Sequence, residues 1–149
     1  MKEMLISDII EKLTAYNRRM YDYGKNVRHY GTGQELRIDQ IHIIDYIGRH
    51  PSCRLGSIAA DTDTNLPTIS LQVKRLIKLG LISKQRSEQD QREIVLNLTD
   101  EGNTIFNYHN EMDYQWNSAF SELLSAFDHE ELSSINSFLK TLLENKPTI

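Results

Sequence analysis

The sequence predicts a mainly α-helical chain with one small β-hairpin, a central lobe flanked by N- and C-terminal helices meant for a second copy of the chain. Three observations predict it. Apolar residues recur every three or four positions through most of the 149 residues, the signature of helices with one buried face. That period gives way once, between Leu81 and Leu98, to the alternation of strands. Charge is also segregated: Asn65 to Arg92 holds six cations against two anions, whereas Thr99 to Asn145 holds nine anions against Lys140.

The first helix carries Leu5, Ile9, Leu13, Tyr16, Met20 and Tyr23 on one face, and Gly31 and Gly33 are expected to end it. Ile41, Ile44 and Ile47, with Ile43, make a second helix that Pro51 closes. A short third helix is expected over Leu55–Asp61 and a fourth over Leu66–Leu79. The fourth has marked ends: Asn65 as N-cap, Pro67 in the first turn where its missing N–H costs little, and Gly80 for the left-handed residue beyond. Leu81–Gln85 and Glu93–Leu98 read as paired strands, the second with Ile94, Leu96 and Leu98 on one face, joined by the polar stretch Ser87–Gln91. Thr99, followed by Asp100 and Glu101, caps a fifth helix striped by Ile105, Met112, Trp116, Phe120, Leu123 and Phe127. Asp128 and Glu131 form a capping box for a last helix with Leu132, Ile135, Leu139 and Leu142.

This order is that of a winged helix-turn-helix, placed at residues 36–99. Segments 1–30 and 100–145 are amphipathic helices outside that lobe; their apolar faces need a partner, most simply the same helices of a second copy, or else their own chain. The length suits a single such chain rather than two independent domains. With 39% apolar and 26% charged residues the composition is that of a globular protein. No apolar run approaches a membrane span, and Lys2, Glu3 and Asp8 interrupt the stretch a signal peptide would need, so a cytoplasmic location and no membrane partner are expected. The single cysteine, Cys53, excludes an intrachain disulfide and a zinc site built mainly of thiolates.

The fourth helix divides its residues in a way that suits nucleic acid. Ile69, Val73, Leu76 and Ile77 share one face, while Thr68, Leu71, Lys74, Arg75 and Lys78, flanked by Ser70 and Gln72, point elsewhere. A helix fills the major groove of DNA, where small and amide side chains read base edges and cations hold phosphates. Thr68, Ser70, Leu71 and Gln72 are therefore candidate base readers, with Leu71 either against a thymine methyl or packed on protein. Lys74, Arg75, Lys78, Lys84 and Arg86 are candidate phosphate contacts. In the hairpin turn, the Asp90 carboxylate is placed to orient the Arg92 guanidinium for the minor groove. The same residues would also suit a solvated charged face, and a winged-helix module for protein interaction is the alternative.

Taken in order, Leu36 and Gln40, Arg54-Leu55-Gly56-Ser57-Ile58-Ala59, Pro67-Thr68-Ile69-Ser70, Leu76 with Leu79-Gly80-Leu81-Ile82, Asp90-Gln91-Arg92 and Leu98-Thr99-Asp100-Glu101-Gly102 resemble the MarR family of transcriptional regulators over nearly the whole chain. The resemblance implies a homodimer on a palindromic operator of double-stranded DNA, the fourth helix in the major groove and Arg92 in the minor groove. It also implies that a ligand, oxidant or metal modulates binding, often at the junction of the dimer helices and the lobe; a repressor is the expected role. His42-Ile43-Ile44-Asp45-Tyr46-Ile47-Gly48 is similar to the fatty-acid-synthesis repressors of Gram-positive bacteria, which implies a small molecule or an acyl chain on acyl carrier protein as effector. Asp61-Thr62-Asp63-Thr64 departs from the family pattern of leucines, a glycine and an apolar residue, so a different turn is expected there; position 71 is often basic or polar in the family.

No enzyme is expected. His50 and Cys53 lie close in sequence without a third orienting group, and no glycine-rich phosphate loop is present. His29, His42, His50, His109 and His129 lack the paired spacing of metal ligands, so neither metal nor cofactor is expected. Cys53 has no second cysteine to resolve a sulfenic acid and reads as an ordinary thiol.

Overall fold

The computed structural model describes residues 1–145 and contains, among them, six helices and one two-stranded antiparallel sheet. In chain order these are α1 (Lys2–Lys25), α2 (Ile38–Arg49), α3 (Leu55–Asp61), α4 (Leu66–Lys78), β1 (Ile82–Arg86), β2 (Ile94–Leu98), α5 (Asp100–Leu124) and α6 (His129–Glu144). Two compact units divide the chain, residues 1–109 and the residues from 110 onward.

The first unit is built on isoleucine and leucine from every element after α1. Ile41, Ile44 and Ile47 of α2, Ile58 of α3, Val73 and Leu76 of α4, and Ile105 of α5 are all but inaccessible to water. Removing such side chains from water is the main stabilising term, each contributing about 1.5–3 kcal/mol. The hairpin closes over this core in the register Ile82↔Leu98 to Arg86↔Ile94. Its burial differs from the expected alternation. Val95 and Leu96 are both buried, whereas Ile94 is exposed. Cys53 explains this: its carbonyl accepts the Leu96 N–H at 2.9 Å, so the α2–α3 connection acts as a one-residue third strand beside β2.

The start of α5 is pinned to the end of α4. Gly80 takes the left-handed conformation (φ +76°), and its carbonyl accepts the Thr99 hydroxyl at 2.6 Å. The same hydroxyl accepts the Gly102 N–H at 3.1 Å, capping α5 as expected. Gly102 passes so close that a Cβ there would lie 2.1 Å from the Leu81 carbonyl oxygen.

Two local expectations are corrected. α1 stops at Lys25, six residues before the first glycine that was expected to end it. Arg28 is the reason: its guanidinium lies 3.3 Å over the Tyr23 ring and donates to the Tyr23 carbonyl at 2.8 Å, taking up a helix-end acceptor. The chain then runs extended, Arg28 pairing with Leu36, around a turn in which Tyr30 and Gly31 both have positive φ. The turn after α3 differs from a glycine-bearing one in its means. Asp63 takes the left-handed position (φ +49°), which aspartate tolerates better than most residues. Asp61 meanwhile accepts the Tyr46 hydroxyl at 2.5 Å, and this bond, with lesser help from burial and the carboxylate charge, pushes the Tyr46 pKa up to about 12.

In the second unit, Asp128 and Glu131 close the expected capping box at the start of α6, each backbone N–H donating to the other's carboxylate at 2.9 Å. α6 has no buried residue, and neither has α1. Trp116 and Phe120 stack edge-on, 5.4 Å between ring centres, and both remain exposed. Among the described residues no helix is long and apolar enough to cross a membrane.

Candidate nucleic-acid interface

α4 begins where Asn65 accepts the Thr68 N–H at 2.9 Å, with Pro67 in the first turn. Its apolar stripe, Ile69, Val73 and Leu76, is buried against α2, α3 and the hairpin. Burial of that stripe leaves the opposite face outward. Thr68, Leu71, Lys74, Arg75 and Lys78 are exposed, Leu71 at 50%. Leu66, in the first turn of the same helix, is the other large apolar side chain of α4 left exposed.

Ser70 and Gln72 are half-buried. Gln72 departs most from the sequence expectation of a base reader: its Nε2 donates to Asp39 Oδ2, 3.2 Å away in the first turn of α2, and its Oε1 is buried without a partner. Position 72 lies between the outward Thr68 and the buried Ile69 one turn earlier, at the border of the two faces. Asp39 also receives the Arg37 guanidinium, through Nε at 3.1 Å and Nη2 at 3.2 Å.

The hairpin brings its cations beside those of α4. Lys74 and Lys84 line one cleft of about 160 Å³ together with Ser70 and the exposed Ile94. Such a concentration of ammonium groups on a chain of net charge −4 is a local field that attracts polyanions. At the hairpin tip the expected Asp90–Arg92 contact takes another form. Asp90 Oδ1 accepts the backbone N–H of Arg92 at 2.9 Å, an Asx turn that shapes the loop. Arg86 donates to the Gln91 carbonyl at 2.6 Å, closing the same loop. Arg92 itself is exposed at the turn, as are Lys84, Arg86 and Asp90.

One cation of this surface escaped the sequence reading. Arg54, at the N-cap of α3, pairs with Glu93 of the hairpin at 2.5 Å and lines, with Arg86 and Ser87, a polar cleft of about 300 Å³. No local signal could have found it, since the pairing follows from the Cys53–Leu96 bridge. Burial pushes the Cys53 thiol above its ordinary pKa, which keeps it protonated and poorly nucleophilic at neutral pH. Of the histidines, His50 stacks on Tyr46 at 4.6 Å, His109 lies edge-on to Tyr30 at 6.0 Å and His29 stands 3.9 Å from Glu35. Among the described residues no group of three or more His, Cys, Asp or Glu is arranged to hold a metal ion.

The lobe's residues 36–94, from the partner of Arg28 to the first residue of β2, match the family model described as the MarR family. Over this lobe the chain is similar to the MarR family. Over 102 residues the chain is 28% identical to the HTH-type transcriptional regulator PchR of Bacillus subtilis (strain 168), a match covering 68% of the chain and 60% of PchR. It is 26% identical over 111 residues to the HTH-type transcriptional regulator BilQ of Clostridium symbiosum (strain WAL-14163), covering 74% of the chain and 75% of BilQ. The chain thus spans less than two thirds of PchR and three quarters of BilQ. Its fold is similar to that of FabT of Streptococcus pneumoniae, solved in complex with DNA: TM-score 0.72, 25% identity, 93% of this chain and 95% of that one. It is likewise similar to the zinc-responsive ZitR of Lactococcus lactis, with TM-score 0.77, 22% identity, and 94% and 97% of the two chains covered. Both curated relatives are named as HTH-type transcriptional regulators.

Proposed function

We propose that this chain is a transcriptional repressor that binds an inverted-repeat operator as a homodimer. The observation that carries the reading is the sorting of α4: its apolar stripe is consumed by the lobe, while Thr68, Leu71, Lys74, Arg75 and Lys78 face outward beside the cations of the hairpin. In this reading α4 enters the major groove and Arg92 the minor groove. Thr68, Ser70 and Leu71 meet base edges; Lys74, Arg75, Lys78, Lys84 and Arg86 hold phosphates. Asp90 contributes by shaping the turn that presents Arg92. Homodimerisation is supported by the exposed apolar side chains of α1, α5 and α6, among them Leu5, Ile9, Trp116, Phe120, Leu139 and Leu142. Two lobes related by a two-fold axis would meet half-sites one helical turn apart, ~34 Å.

An effector that releases the dimer from DNA is part of the proposal. The family resemblance of residues 42–48 makes an acyl chain on acyl carrier protein the first candidate to test, beside free small molecules.

The test is recovery of bound fragments from sheared genomic DNA near physiological salt. A shared inverted repeat supports the reading, and enrichment of nothing even at low salt replaces it with a winged-helix module for protein interaction. On the recovered operator, Arg92→Ala should lower affinity about ten- to a hundredfold without changing the melting temperature. Unchanged affinity would remove the minor-groove role of the hairpin.

A further inference from the structure

Gln72 sits on the helix proposed to read DNA, yet its amide is spent inside the protein. Nε2 donates across to Asp39 Oδ2 at 3.2 Å, and Oε1 is shut away from water with no donor. The orientation of the amide is dictated by its partner, because turning it over would set its oxygen against the Asp39 carboxylate. A buried acceptor left without a bond costs stability, so the contact with Asp39 is held against a penalty. Asp39 in turn is gripped by both guanidinium contacts of Arg37, the N-cap residue of α2. The chain of contacts Arg37–Asp39–Gln72 therefore crosses from the start of α2 to the middle of α4, at the border between its buried and outward faces.

We propose that Gln72 is a positioning residue, tying α4 to the first turn of α2, and not a group that reads bases. Its part in operator binding rests on the DNA-binding reading above; its part in holding α4 does not. Thr68, one turn before Gln72, and Lys74 and Arg75 just after it share the same rigid helix, so the tie sets the angle at which they are presented.

The experiment exchanges donor and acceptor. Gln72→Glu alone opposes two carboxylates and should lower the melting temperature by about 3 °C and the affinity for the enriched genomic duplex by about tenfold. Asp39→Asn combined with Gln72→Glu rebuilds an amide-to-carboxylate hydrogen bond at unchanged formal charge. It should return both readouts near those of the parent, to within about 1 °C and about twofold, the coupling expected of residues in contact. Melting no better in the pair than in Gln72→Glu alone would show that no tie exists. Recovery of melting with affinity still depressed would show that DNA needs the glutamine itself. Either overturns the proposal. If the parent chain binds no DNA at all, the DNA-binding reading fails, while the melting temperatures still decide whether Gln72 holds α4.

Discussion

α4 and the helices at the two ends of the chain are amphipathic to a similar eye, yet they end in opposite states. α4 buries Ile69, Val73 and Leu76 within its own lobe, and its exposed residues are polar or charged apart from Leu66, Pro67 and Leu71. α1 and α6 bury nothing, and leave Met4, Leu5, Ile6, Phe138, Leu139 and Leu143 among the exposed large apolar residues. A helix of moderate length gains most of its stability from packing rather than propensity. The lobe is thus complete on its own chain, whereas the terminal helices carry an unmet demand for apolar contact. Their exposed residues are read as a contact surface, and the exposed cations of α4 as a binding one.

The comparison is broken hardest at the terminal helices. Leu139→Glu with Leu142→Glu should convert a dimer into monomers on sedimentation. With only one lobe per DNA encounter, operator affinity should fall by roughly 10²–10⁴-fold, since two linked half-site contacts become one. The core of the lobe, Ile44 and Leu76 included, loses no contact by this change, so its near-ultraviolet dichroism should persist. Dimers that survive the double substitution would mean that α6 is not the contact surface.

A converse substitution strikes the lobe and spares the ends. Gly102→Ala would bring a Cβ to 2.1 Å from the Leu81 carbonyl oxygen, which only backbone displacement relieves. The expected cost is about 3 kcal/mol, or about 10 °C in melting temperature. An unchanged melting curve would show that the junction of Gly80, Leu81 and Thr99 is not tight.

How far the sequence could be read follows the same division between local and distant causes. The ends of α4 are written in neighbouring residues: Asn65 caps Thr68 three positions on, and Gly80 supplies its own left-handed φ. The capping box of Asp128 and Glu131 is equally local. Errors arise where the partner is remote. Gln72 turns inward because Asp39, on another helix, stands opposite it. Val95 is buried out of alternation because Cys53 adds a strand beside β2. α1 ends early because Arg28 returns to the Tyr23 carbonyl, and the glycines expected to end the helix lie in the loop beyond. Among the site residues, outward position could be read from helical spacing, but the shape of the hairpin tip depended on which atom of Arg92 meets Asp90.

The smallest expected effect tests how the lobe manages without a glycine after α3. Tyr46 donates to Asp61 at 2.5 Å, anchoring the C-terminal end of α3 just before Asp63 turns left-handed. Because Asp61 is exposed and Tyr46 only half-buried, the loss in Tyr46→Phe should be modest, about 2 °C in melting temperature at neutral pH. The pH dependence is more diagnostic. The neutral phenol is favoured in the folded state, its pKa raised from 10.0 to about 12 by the hydrogen bond to Asp61. Its contribution is therefore complete below pH 10 and fades as the pH climbs toward 12. The melting difference between parent and Tyr46→Phe should stay constant through neutral pH and close in that alkaline window. A difference that is absent at neutral pH would mean that Asp63 makes the turn without help from α2.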